Sequence, residues 1–121
     1  MTTFKQRIAH LVEMSELPRQ SVCFQFLTLL YLAHQELSED VVRSIDFNGI
    51  KYFESVSLRE CMANVKSVSN AHKGIHALYG AGFIERLVID NLGNQIVTDK
   101  FSRNSVTIYW RLSEKGYSLF S

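Results

Sequence analysis

The strongest constraint on this chain is the order of patterns between Val56 and Phe120. Ser57-Leu-Arg-Glu-Cys-Met-Ala-Asn-Val65 places Leu58, Cys61, Met62 and Val65 at the i, i+3, i+4, i+7 spacing of one apolar helix face. Ser57 and Glu60 have the S-x-x-E spacing of a capping box, in which each side chain satisfies an amide that the first turn leaves unpaired. Lys66-Ser-Val68 breaks the period, and a second helix is expected from Ser69 to Tyr79, with Val68, Ala71, Ile75, Leu78 and Tyr79 on its inner side. Ser67 or Ser69 is placed to cap it. Gly74, on the flank of that side, costs about 1 kcal/mol of helix propensity relative to alanine. A close approach between the two helices of the pair is the expected compensation. Gly80 and Gly82 mark the helix stop. Phe83–Asp90 and Val106–Leu112, rich in β-branched residues, read as partner strands joined by a long polar loop over 91–105.

A capped helix, a tight turn, a second helix and a long hairpin in this order specify a winged helix-turn-helix. The expected fold is therefore α+β, mainly α, a single domain over 1–121. Residues 1–55 form its N-terminal helical part and 56–121 the winged helix-turn-helix. With 46% hydrophobic residues in 121, such a chain buries a core without disulfide or metal staples. Cys23 and Cys61 each fall on an apolar helical stripe and read as reduced core thiols. No basic-then-apolar leader follows Met1 and no apolar run reaches membrane-spanning length, so a cytoplasmic protein with no membrane partner is expected.

At 100° per residue, Ser69, Lys73 and His76 lie opposite the inner side of the second helix, with Asn70 and Ala77 beside them. Small side chains let a helix settle into a major groove, where Asn and Ser bond base edges and Lys reaches guanine or phosphate. The plain alternative is a solvated face. The charge balance leans toward phosphate: residues 1–55 hold five Lys/Arg against seven Asp/Glu, whereas 56–121 hold eight against five.

Two local motifs add to this. Leu78-Tyr-Gly-Ala-Gly-Phe-Ile-Glu-Arg86 resembles the "Leu-x-x-x-Gly-Leu-Ile-x-Arg" that ends the recognition helix of MarR-type winged-helix transcription regulators, and Leu112-Ser-Glu-Lys-Gly116 resembles their "Leu-Thr-x-x-Gly" after the wing. The resemblance covers about half the chain. It implies that Lys73 matches the basic recognition-helix residue, and that Lys100 and Arg103 stand where that family's wing places its minor-groove arginine. The combined expectation is double-stranded DNA binding by Lys66, Ser67, Ser69, Asn70, His72, Lys73, His76, Lys100, Arg103 and Asn104.

In the N-terminal part, helices are expected over Thr3–Glu13 and Arg19–Gln35, with Pro18 at the start of the second. Val22 to Ala33 is apolar except at Gln25 and Thr28. A helix apolar all round must be covered all round, which leaves two readings. In one, Phe24, Leu27 and Tyr31 form a homodimer interface; in the other, the helix is the centre of the core. Asp40–Phe47 reads as a short helix stopped at Asn48-Gly49, and Ile50–Phe53 as a short strand.

His72 and His76 have a spacing that can hold zinc on one helix face, but the intervening glutamate and a third ligand are missing, so no metal and no cofactor are expected. His10 and His34 have no partner identifiable from sequence. No phosphate-cradling glycine loop and no nucleophile elbow occur, so an enzyme is not expected. The functional expectation is a homodimeric, sequence-specific DNA-binding transcription regulator, with its effector unspecified. The rival readings are a winged helix used as a protein-interaction module and a plasmid or phage replication or partition factor.

Overall fold

Thr3 starts the first helix, α1 (Phe4–Ser15): its hydroxyl accepts from the Gln6 amide and the Gln6 side chain accepts from the Thr3 amide. The computed structural model describes residues 3–35, 42–62, 68–98 and 100–120, apart from the side chain of Arg103. Helix α2 (Gln20–His34) follows, with Arg19 as its N-cap in the left-handed conformation, φ 56°. Pro18 thus lies before the cap rather than at the first helical position.

Asn48 and Gly49 decide the next step. Both have positive φ, 52° and 79°, the combination of a two-residue type I′ turn whose twist matches that of paired strands. Strands β1 (Ser44–Phe47) and β2 (Ile50–Glu54) therefore form a hairpin in which Phe47 faces Ile50 and Ser44 faces Phe53. This corrects the helix expected over Asp40–Phe47 for residues 44–47; Asp40 and Val41 lie outside the described residues. The Asn-Gly pair ends no helix here and instead reverses a strand.

Strand β2 runs directly into helix α3 (Ser55–Glu60), which moves the helix start two residues upstream of Ser57. The expected Ser57/Glu60 capping box is consequently absent. Ser57 sits inside the first turn, is buried, and donates to Glu54 Oε1 at 2.7 Å. Pairing of Phe53 with Trp110 and Glu54 with Tyr109 fixes where the strand ends. Leu58 and Met62 are buried as expected and Cys61 is half-buried, but the helix stops at Glu60; Val65 is outside the described residues.

Helix α4 (Val68–Gly80) begins one residue earlier than expected, so Ser69 lies within its first turn; Ser67, the other expected cap, is outside the described residues. It ends in a glycine-dependent stop: Gly82 takes φ 83°, Phe83 N donates to Leu78 O at 3.0 Å and Gly82 N to Tyr79 O at 3.1 Å. Strands β3 (Ile84–Asp90) and β4 (Val106–Leu112) pair over their whole length, Ile84 facing Leu112 and Asp90 facing Val106. The sheet is antiparallel throughout, in the order β1-β2-β4-β3. A single turn of helix, α5 (Glu114–Tyr117), closes the described chain, capped by Ser113, whose hydroxyl accepts from Gly116 N.

The fold is α+β. Helix α2 is its hub, packed on α4, on α3 and on β4. Phe26, Leu27 and Leu30 are almost fully buried, and the Phe26 ring meets Trp110 edge-on at 6.3 Å. Each such side chain contributes about 1.5–3 kcal/mol by leaving water. The core-helix reading of Val22 to Ala33 therefore accounts for most of its apolar surface. Leu27, 1% exposed, lies inside this core and is not available to a dimer interface; Tyr31 stacks on Phe120 at 4.3 Å; Phe24 remains exposed.

Gly74 has the close approach anticipated for it, but against a different helix. A Cβ there would lie 2.9 Å from Val22 Cβ and nearer still to Val22 Cγ1, so the missing side chain admits α2 and not α3. Buried Ala71, Ile75 and Leu78 agree with the expected inner face. Val68, 61% exposed at the first turn, and Tyr79, whose ring edge packs on Trp110 at 5.6 Å, lie outside the core.

Candidate nucleic-acid interface

The polar residues singled out on α4 share one exposed side. Ser69, Asn70, Lys73 and His76 are exposed and His72 is half-buried, because Ala71, Gly74, Ile75 and Leu78 take the opposite side against α2. Lys66 and Ser67 lie outside the described residues, so their part in this face is not placed. The His72 and His76 rings stand 6.3 Å apart, centroid to centroid. Among the described residues no group of three or more His, Cys, Asp or Glu side chains is arranged to hold a metal ion.

Beside this face runs an open groove of about 780 Å³, lined by Pro18, Arg19, Val68, Ser69, His72, Lys73 and His76. Its described lining holds two permanent cations, two imidazoles and no carboxylate. Arg19 was not among the residues expected from the sequence, and the left-handed turn before α2 is what brings it to α4. Pro18-Arg-Gln reads locally as a helix start; nothing in it points to a residue 54 positions later. The groove exists because Gly74 lets α2 and α4 approach closely, which draws the N-terminal ends of both helices together.

The expected wing, 91–105, joins β3 to β4 but is not an open hairpin. Asp90 Oδ1 accepts from Leu92 N and Asn94 N, each at 2.9 Å, and Gly93 at φ 83° reverses the chain. Gln95 then pairs with Ile89, and Ile96 N donates to Val88 O at 2.9 Å. The returning segment thus covers the free edge of β3, where unpaired backbone groups would otherwise invite another strand. Lys100 and Asn104 are exposed, and Arg103 opens a short 3-10 turn, Arg103–Ser105. Between wing and helix stands Arg86: its guanidinium lies 4.7 Å from the Tyr79 ring centroid and 5.4 Å from that of Phe101. These stacked contacts tie the wing to the C-terminal end of α4.

The two motifs that carry the family resemblance meet in space. Ser113 N donates to Phe83 O at 3.2 Å and Ser113 Oγ to Gly82 O at 2.5 Å. Gly116 has no Cβ because the Phe83 carbonyl occupies that position. Lys115 Nζ bonds Ala81 O and Glu13 Oε1, each at 2.6 Å, fastening the end of α4 to α1. The C-terminal end of α4 is therefore fastened to the junction of β4 and α5 and to α1.

The remaining histidines are structural. His10 Nδ1 bonds Ser118 Oγ at 2.8 Å. His34 Nε2 accepts from Leu112 N at 3.2 Å, between the Phe53 and Tyr117 rings. Burial, with the charges of Arg111 and Lys51, pulls its pKa down to about 4, so it is neutral. Burial likewise raises the Cys23 thiol to about 11, which removes it from thiolate chemistry.

Compared with known protein families, with curated proteins and with solved structures, the chain matches none.

Proposed function

We propose that this protein is a sequence-specific, double-stranded DNA-binding regulator of winged helix-turn-helix type, similar to the MarR-type regulators and acting as a homodimer. The observation that carries the reading is the exposed α4 face, Ser69, Asn70, Lys73 and His76, beside a groove whose described lining adds Arg19 and no carboxylate. In this reading α4 enters the major groove, Asn70, Ser69 and His76 meet base edges, and Arg19 and Lys73 take phosphates on either side. The wing, coupled to α4 through Arg86, brings Lys100, Arg103 and Asn104 to the flanking minor groove.

The second copy is assigned to the exposed side of α1. Phe4, Ile8, Leu11 and Val12 form a stripe on solvent there, although Met14 on the same helix is fully buried. Exposed Lys5 and Glu16 stand at opposite ends of α1 and about 20° apart in projection, hence on one flank. An antiparallel two-fold pair sets each lysine against the partner's glutamate, which makes the face self-complementary. This replaces Leu27 and Tyr31 as interface residues.

Fluorescence anisotropy against a pool of duplexes, run as a salt series beside light scattering, tests the reading. Dimeric mass and affinity falling steeply with salt are expected. Absence of DNA binding at low salt removes the proposal. It would favour the rival interaction-module reading, for which the specific support is the exposure of Leu92 and Val97 in the wing, 85% and 84%.

A further inference from the structure

The two edges of the sheet are treated differently. The β3 edge is covered by the returning segment, with Gln95 opposite Ile89 and Ile96 N bonded to Val88 O. The β1 edge is open among the described residues. Its backbone phase follows from the hairpin: Phe47 faces Ile50 across the two-residue turn, and Arg43 O accepts from Glu54 N at 2.8 Å. Residues along an antiparallel pair alternate between bonded and non-bonded positions. Phe47, Ile45 and Arg43 therefore turn their backbone groups toward β2, while Ser44 and Asp46 turn theirs outward. No described residue bonds those outward groups. Proline, lysine and bulges are common guards against pairing with another chain, and β1 has none of them. Asp46 is its one charged residue.

We propose that this edge pairs with the β1 edge of a second copy, about a two-fold axis at Ile45, to form one continuous antiparallel sheet of eight strands. Outward groups must meet outward groups, which allows three registers. Centred on Asp46, the two carboxylates stand directly opposite each other, an unfavourable like-charge pair. Centred on Ser44, Asp46 falls opposite Val42, which precedes the strand and is buried. Centred on Ile45, Ser44 of each copy meets Asp46 of the other, giving four backbone hydrogen bonds with each serine hydroxyl placed to donate to a carboxylate. Half-buried Ile45 then packs on its own counterpart, and Arg43 lies opposite Phe47 of the second copy, cation against ring. Across the hairpin Arg43 and Lys51 balance Asp46 and Glu54, so like hairpins do not repel. The outer edges of the joined sheet are the two covered β3 edges, and growth stops there. A four-residue strand buries far less than the roughly 1,200–2,000 Å² of a stable interface. Pairing therefore has a Kd of about 0.1–1 mM and joins copies that are already held close together. The pairing itself rests on neither DNA binding nor α1; that it sets two α1-paired dimers side by side rests on the proposed function.

Amide hydrogen exchange of the full chain, without DNA, is compared at about 20 µM and about 1 mM, where a Kd of about 1 mM or tighter pairs at least half of the chains. The Ser44 and Asp46 amides should slow by about twofold or more at the higher concentration. Those of Ile45 and Phe47, bonded to β2 at any concentration, should not change. Ile45→Lys sets two ammonium groups opposite each other with the hairpin bonds intact and should abolish the dependence. Asp46→Pro removes only an outward N–H; read at Ser44, it should do the same, and it keeps the test decisive if the lysine variant folds poorly. Under mild oxidation Ile45→Cys should form a linked dimer, since facing residues at its position are close enough for a disulfide. Ser44→Cys should not, and the wild type sets the background from Cys23 and Cys61. Edge amides unprotected at about 1 mM, a dependence that survives both variants, or equal cross-linking at positions 44 and 45 each overturns the proposal. Protection that appears only when an unrelated extended peptide is added overturns it in favour of a peptide partner.

Discussion

Gly74 shows how much one atom can decide. Alanine there gains about 1 kcal/mol of helix propensity but drives a methyl group into Val22, a β-branched side chain with little rotamer freedom. The overlap wins, and Gly74→Ala is expected to destabilise the fold by about 1–3 kcal/mol in chemical denaturation. Val22→Ala in the same chain should recover part of that loss, and strict additivity of the two changes would show that they do not share a contact. Lys73→Ala tests the other side of the same helix. Loss of a DNA contact should weaken binding by about 1–3 kcal/mol with no change in melting temperature, and unchanged affinity would exclude Lys73 from the interface. His34 supplies a pH dependence. Its folded pKa of about 4 lies below the ordinary 6.5, so the unfolded chain takes up a proton first as pH falls. Its stabilising contribution is complete above pH 6.5 and is lost between there and pH 4. Because the ring is partly exposed, the loss is about 1–2 kcal/mol, less than the full shift implies. His34→Gln should flatten thermal stability over that interval; an equal slope in both proteins would place the acid sensitivity elsewhere. At this scale the sequence was readable for residue type and exposure on α4, and silent on contacts. Arg19 beside Lys73 is a product of packing.

At the scale of elements, periodic segments were legible and their ends were not. The second helix of the proposed pair and strands β3 and β4 are nearly where periodicity and glycine punctuation put them. Helix α3 is shorter and starts earlier, because an adjoining strand held by Trp110 and Tyr109 outranked a local capping signal. Asn48-Gly49 was legible as a chain reversal but was assigned to the wrong element; with both residues at positive φ it belongs to a hairpin. The wing leads to a prediction at this scale. Its anchor is Phe101 on Arg86, so Phe101→Ser should loosen residues 97–102 in amide exchange while leaving the β3–β4 ladder protected. DNA affinity should fall with little change in stability. Uniform loss of protection across β3 and β4 would instead make Phe101 part of the core.

For the whole molecule, the question is what covers α1. Ile8→Asp with Leu11→Asp should convert a dimer to a monomer in light scattering and leave the helical circular dichroism unchanged, since neither residue is buried in the chain's own core. A monomeric wild type would remove the two-fold arrangement and require one recognition helix per site. Composition, the period of each helix, the β-branched strands and the glycine stops were determined by the sequence, because these features act through local backbone preference and through which side of an element is apolar. Tertiary structure alone decided that α2 and not α3 lies against Gly74, that Leu27 is core and Phe24 is surface, and that the segment after β3 folds back over its edge. The reason is physical: burial of apolar surface is favourable but non-directional. An apolar face in a sequence therefore announces that something will cover it, and only the packed chain names the partner.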